Sequence, residues 1–167
     1  IKNGVGNNTI YHVCYGSESF MWFSTDKGIS PYDGFRFRDY PLIMSIDSLS
    51  VPLHQAVKTL KEAPDGLYYA LLYQGGMTCF DKEIEKYLPV RFDRPLKLKE
   101  IHDFCWYDGN LYLATSQGLF ESHPIRKKEG KDDFVLCTLN PEPLIKGKVA
   151  NLCTDGKTNL YFSVDRE

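Results

Sequence analysis

The stretch Leu111-Tyr112-Leu113-Ala114-Thr115 decides the fold, because it has three close relatives elsewhere in the chain. They are Met21-Trp22-Phe23-Ser24-Thr25, Leu67-Tyr68-Tyr69-Ala70-Leu71 and Leu160-Tyr161-Phe162-Ser163-Val164. Each begins with an aliphatic residue, an aromatic, an apolar residue and then Ser or Ala, and the starts lie 46, 44 and 49 residues apart. Aromatic and apolar runs of this length read as strands, and a fixed period of this size reads as a repeat architecture.

Working outward, a second strand precedes each copy. Seven residues before each start lie Cys14, Leu60, Phe104 and Cys153; nine before lie His12, Lys58, His102 and Asn151. Positions two apart on a strand share a side, so this reading gives one apolar and one polar slot per repeat. Asp65-Gly66, Asp108-Gly109 and Asp155-Gly156 supply the turn between the two strands, where the first copy has Ser17-Glu18-Ser19; Asp-Gly suits tight hairpins. Gly28-Ile29, Gly76-Met77 and Gly118-Leu119 open a third strand, and a fourth is expected at Phe35–Tyr40, Ile84–Tyr87 and Phe134–Leu139. Pro41, Pro52, Pro89, Pro95, Pro141 and Pro143 fall between repeats, as expected of residues that cannot donate to a sheet ladder. The nearest approach to a helical period, Val57 to Ala63, falls in the repeat register as a strand.

Four antiparallel strands per ~45 residues is the unit of a β-propeller blade. The expected fold is all-β: a propeller fragment of four-stranded antiparallel blades over 9–48, 49–97 and 98–146, with a partial blade over 147–167. Three and a half blades fall short of the ~4–8 of a closed ring. That shortfall, and a first residue that is Ile rather than Met, read as a piece of a longer protein.

Composition narrows the function. Of 167 residues, 25% are charged and 43% hydrophobic, with a net charge of −2; this is a globular profile without the basic excess of a nucleic-acid binder. No uncharged run reaches the ~18 residues of a membrane span. Aromatics reach 14%, as expected of sheets packed face to face. The five cysteines include no C-x-x-C pair, so they form no zinc motif.

The stretch Ser19-Phe20-Met21-Trp22-Phe23-Ser24-Thr25-Asp26-Lys27-Gly28-Ile29-Ser30-Pro31-Tyr32-Asp33-Gly34 resembles the two-component-regulator propeller repeat, with its aromatic strand, glycine turn and aromatic-Asp-Gly ending. Leu111 to Phe120 matches nearly as well, and Asn7-Asn8-Thr9-Ile10 resembles the lead-in to such a repeat. The second copy departs from it at Leu71-Leu72-Tyr73-Gln74-Gly75-Gly76, which has an extra residue and no Thr. The resemblance implies the periplasmic sensor region of hybrid two-component histidine kinases, anchored in the inner membrane.

Candidate chemistry is sparse. His12, Lys58, His102 and Asn151, in one repeat slot near the start of the innermost strand, are read as a polar ring that contacts a sugar-like or anionic ligand; the plainer reading is ordinary strand ends. Trp106, with no repeat equivalent, is the aromatic assigned to ligand contact, whereas Trp22 fills a packing slot. Cys14 and Cys153, interchanged with Leu and Phe, read as small buried hydrophobes. Asp26, Asp33, Asp65, Asp108 and Asp155 recur in turns, which argues for structure rather than for a pair of glycosidase carboxylates. Ser24-x-x-Lys27 and Gly156-Lys157-Thr158 lack the partner motifs of acyl-serine enzymes and phosphate loops. The mixed-charge insertion His123–Asp133 reads as a solvated hairpin tip.

The resemblance implies a non-catalytic extracytoplasmic sensor segment of a hybrid two-component histidine kinase and response regulator. The expected ligand is a glycan-derived oligosaccharide. Self-association or a dimer of the full-length sensor is expected, and no cofactor, metal, catalytic residue or nucleic-acid contact in this segment. The alternatives are a propeller polysaccharide lyase or glycosidase, and a protein-interaction scaffold.

Overall fold

A computed structural model of the chain describes residues 4, 9–46, 49–94, 100–129 and 132–164. The protein is all-β, and no described residue lies in an α-helix. The strands are β1 (Ile10–Tyr15), β2 (Met21–Thr25), β3 (Gly28–Tyr32), β4 (Tyr40–Pro41), β5 (Ile43–Ile46), β6 (Leu49–Pro52), β7 (Val57–Glu62), β8 (Tyr68–Leu72) and β9 (Met77–Asp81). They continue as β10 (Lys86–Phe92), β11 (Ile101–Tyr107), β12 (Asn110–Thr115), β13 (Gly118–Glu129), β14 (Asp132–Leu139), β15 (Ile145–Lys146), β16 (Val149–Thr154) and β17 (Leu160–Val164).

The chain divides into two compact units. Unit 1 runs to Pro89 and includes Lys128–Asp133; unit 2 holds Val90–Lys127 and the chain from Phe134. Unit 1 contains the antiparallel sheet β1-β2-β3-β4 and the run β7-β8-β9-β10. A hairpin of β5 and β6 lies beside β10, with Met44 parallel to Tyr87. Unit 2 contains β11-β12-β13-β14, with β15 on β13 and the end of β10 parallel to β14 at Val90–Val135. Its last element is the β16–β17 hairpin.

The hairpin β5–β6 is absent from the expected pattern, and its two strands lie on either side of residues 47–48. In the first repeat the expected fourth strand at Phe35–Tyr40 shrinks to β4 and one bridge, Tyr32 to Phe37. Pro41, Pro52 and Pro89 sit within β4, β6 and β10 rather than between repeats; the first two lie in strands of two and four residues, where one lost N–H costs the ladder little. Pro95 lies outside the described residues.

Both faces of β8 are buried from Tyr68 to Leu72, as expected of a sheet covered on two sides. Within unit 1, Trp22 stacks on Tyr68 with centroids 4.1 Å apart, and Leu60, Ala70, Phe80 and Tyr87 complete the cluster. Burying one such side chain contributes about 1.5–3 kcal/mol. In unit 2 the corresponding cluster joins Cys105, Ala114 and Leu119 to Val149 and Leu152.

Glycine fixes one feature of the path. The segment leading out of the first repeat returns to pair Pro41 with Gly28, and that out of the third pairs Lys146 with Gly118. A Cβ on Gly28 would sit 2.1 Å from the Tyr40 carbonyl oxygen, and one on Gly118 would sit 2.2 Å from that of Ile145. Thr25 and Thr115 shape the turns before these glycines, each hydroxyl donating to the glycine carbonyl at 3.1 and 2.9 Å. The second repeat has no such hydroxyl and turns instead on Gly75 and Gly76, both at positive φ.

Candidate functional site

The first strand of every repeat begins with a bulge: between Ile10 and His12, Val57 and Thr59, Ile101 and Asp103, and Val149 and Asn151. The residue before each bulge faces Thr25, Leu72, Thr115 and Val164 respectively, so the bulge sets a common register for the four repeats. In that register His12 and Asn151 share a slot with Thr59 and Asp103, whereas Lys58 and His102 share the bulge position with Tyr11 and Ala150. The expected single slot of His12, Lys58, His102 and Asn151 is therefore two slots. On a strand, a one-residue slip reverses the face.

Two local causes produce the slip. In the second repeat Tyr68, rather than Leu67, is the equivalent of Met21, since each faces the last residue of its first strand. In the third repeat the turn is only Asp108-Gly109, with φ of 48° and 77°, and Trp106 faces Leu111 directly. Trp106 consequently does have equivalents: Tyr15, Glu62 and Thr154. Cys14, Cys105 and Cys153 now share one slot, with Lys61 in the fourth. Cys153 is exposed rather than buried, whereas burial pushes the thiols of Cys14 and Cys137 up to about 12.

The predicted contacts fall as follows. His12 and Lys58 lie half-buried on β1 and β7 of unit 1. His102 and Trp106 are half-buried on β11 of unit 2, and Asn151 is exposed on β16. The His102 ring nitrogen Nε2 lies 2.9 Å from Ser116 Oγ, and the Asn151 amide donates to Ser163 at 3.0 Å. Asp103, in the slot of His12 and Asn151, accepts from Phe104 N and from Leu152 N at 2.9 Å. That slot therefore ties the strands β11 and β16 together.

The turn aspartates act on backbone. Asp65 accepts from Leu67 N, Asp33 from Phe35 and Arg36 N, and Asp155 from Lys157, Thr158 and Asn159 N. These N–H groups hold Asp33 and Asp155 below the usual carboxylate range, Asp155 at about 2. Among the described residues, no cluster of three His, Cys, Asp or Glu side chains could hold a metal ion.

A cavity of about 360 Å³ in unit 1 lies elsewhere and contains none of the five predicted contacts. Phe20, Trp22, Pro31 and Tyr40 form its apolar wall; Arg36, Arg38, Lys82, Glu18, Asp33, Glu83 and Glu85 supply charge. Arg38 and Glu85 pair at 2.7 Å, and the Tyr40 hydroxyl donates to Glu85 at 3.2 Å. The Arg38 guanidinium lies 5.1 Å from the centre of the Tyr40 ring, within cation–π range. Lys82 pairs with Glu18 at 2.9 Å. Burial and the Glu85 carboxylate raise the Tyr40 phenol against the opposing effect of Arg38, so it stays a neutral donor. A second cavity of about 270 Å³ shares Tyr40 and Glu85. Aromatic surface beside fixed donors and acceptors is chemistry suited to a polyhydroxylated ligand.

No family model matches the chain, and no curated relative matches it by sequence. Solved structures do. The extracellular domain of BT4673 from B. thetaiotaomicron, described in one structure as a one component system and in another as a hybrid two component system, gives TM-scores of 0.65 and 0.64. Identities are 16% and 17% over 98% of this chain and 21% of that one. The extracellular domain of BT3049 from the same organism, also described as a hybrid two component system, gives 0.55 at 15% identity, over 97% of this chain and 26% of that one. The chain thus spans about a fifth to a quarter of the length of the domains it resembles. Its fold is one found in the extracellular domains of hybrid two-component system proteins.

Proposed function

We propose that the chain is a non-catalytic sensor segment of a hybrid two-component histidine kinase and response regulator. It works on the periplasmic side of the inner membrane, and its four repeats are blades of a β-propeller over 9–48, 49–97, 98–146 and 147–167. The observation that carries this reading is the structural likeness to extracellular domains of hybrid two-component systems over 97–98% of the chain. The recurring four-stranded meanders support the blade assignment.

The ligand in this reading is a glycan-derived oligosaccharide, and the cavity at Tyr40, Arg38 and Glu85 is its contact site. Sugar hydroxyls would exchange with the Arg38–Glu85 pair while the Tyr40 ring offers an apolar face. His12, Lys58, His102, Asn151 and Trp106 form the alternative contact set. Binding would act by population shift, favouring one arrangement of the full-length sensor over another.

Melting of the chain against a panel of oligosaccharides tests this. A raised melting temperature with one of them, lost in Arg38→Ala and kept in His102→Ala, supports the cavity; the reverse pattern moves the contact to the inner strands. No shift with any saccharide overturns the glycan reading, and turnover of a polysaccharide replaces it with the lyase or glycosidase alternative.

A further inference from the structure

The hairpin β5–β6 has no counterpart among the described residues of the other repeats, and one of its faces walls a cavity. Ile43 lies opposite Pro52, and Met44 opposite Val51. Opposed residues share a face of a sheet, and faces alternate along a strand. Met44 is buried in the core of unit 1, so Ile43, Pro52 and Ser50 belong to the other face. Ile43 and Ser50 line the cavity of about 270 Å³, whose apolar wall is completed by Pro41, Phe80 and Tyr87.

This cavity and the charged one meet at Tyr40 and Glu85, which line both. Tyr40 is a fixed partition between them. Its hydroxyl donates to Glu85 at 3.2 Å, its carbonyl accepts from the Tyr87 hydroxyl at 2.7 Å, and its ring centre lies 4.7 Å from that of Phe80. At about 270 Å³ the smaller cavity falls below the ~300 Å³ at which small-molecule sites begin, so it reads as an extension of the larger one. The chemistry changes across the partition. Seven charged side chains line the larger cavity, whereas the smaller has Lys86 and a Glu85 already paired with Arg38.

We propose that the smaller cavity is an apolar subsite continuous with the glycan site, and that the hairpin β5–β6 serves to build it. The ligand is then an oligosaccharide whose polarity falls across one glycosidic bond. Its hydroxyl-rich unit meets Arg38 and Glu85, and the next unit places an apolar substituent, such as the methyl group of a deoxy sugar, against Ile43, Phe80 and Tyr87. This inference rests on the glycan reading of the larger cavity and adds to it the character of the second unit.

Calorimetric titration with paired probes, the methyl and phenyl glycosides of glucose, galactose, mannose and xylose, tests it. The phenyl group carries apolar surface across the glycosidic bond with no hydroxyl of its own. For at least one sugar the phenyl glycoside is expected to bind roughly tenfold tighter than the methyl one, the scale of burying about two methylene groups. Ser50→Trp, which fills the smaller cavity, is expected to bring the phenyl glycoside down to the methyl value, and Arg38→Ala to weaken both. Far-ultraviolet circular dichroism checks folding, and Ile43→Glu takes the place of Ser50→Trp if that variant does not fold. Equal affinity of the two glycosides, or a margin that survives both cavity variants, overturns the subsite and leaves the glycan reading standing. Binding of no glycoside also overturns the subsite, and the oligosaccharide panel then decides whether the glycan reading falls with it.

Discussion

The hairpins β7–β8 and β16–β17 are the same unit placed in two environments. Both join their strands through a three-residue turn, both begin with a bulge, and both put a tyrosine in the same slot. Tyr69 in the first is 1% exposed, whereas its equivalent Tyr161 is 53% exposed. The difference lies in what flanks each sheet, since the local chemistry is nearly the same. An apolar residue in a repeat protein is a request for a neighbour, and whether the request is met depends on position in the array.

That comparison can be broken most sharply by truncating both tyrosines. Tyr69→Ala should destabilise by about 3–5 kcal/mol, as expected for an aromatic removed from a packed core. Tyr161→Ala should change stability by less than about 0.5 kcal/mol. Urea unfolding measured at low protein concentration reads both, and equal losses would remove the distinction. A smaller contrast separates two glycines. Gly118→Ala brings a Cβ against the Ile145 carbonyl and should cost about 3 kcal/mol. Gly156→Ala meets no atom within 4 Å and bears only the positive-φ penalty, about 1 kcal/mol. The same unfolding curves check both.

The smallest effect concerns pH and the terminal hairpin alone. Asp155 is held at about 2 against an ordinary 3.8, so the fold favours its ionised form. Its contribution is therefore present above pH 3.8 and lost as pH falls toward 2. Asp155→Asn should flatten that part of the melting-temperature profile. An unchanged profile would assign the acid sensitivity elsewhere.

The strands themselves were largely legible, because an aromatic run followed by a glycine turn is a local pattern. The register was less so. A Leu-Tyr-Tyr run offers two equally good starts, and a turn shortened to Asp108-Gly109 shifts every slot behind it by one. Only backbone pairing resolves such a slip, which is why Lys58 and His102 part from His12 and Asn151. The same dipeptide also plays three parts. Asp108-Gly109 is the whole two-residue turn, Asp65-Gly66 fills the end of a longer one, and Asp155 caps its turn from the strand side. The cavity was the least legible feature. Its wall draws on residues 18–40 and 82–85, which meet only through packing of successive sheets, and no local pattern records that meeting.

The return of each linker onto Gly28 or Gly118 has a consequence for synthesis. A ribosome delivers the third strand of a repeat before the segment that clasps it, so the repeat stays unlatched until that segment emerges. The first clasp joins residues 28 and 41, the third residues 118 and 146. The second span is about twice as long, and doubling a loop adds only about 0.6 kcal/mol to its closure. The delay is thus mainly one of time: the first and third repeats are each latched only as the next one begins.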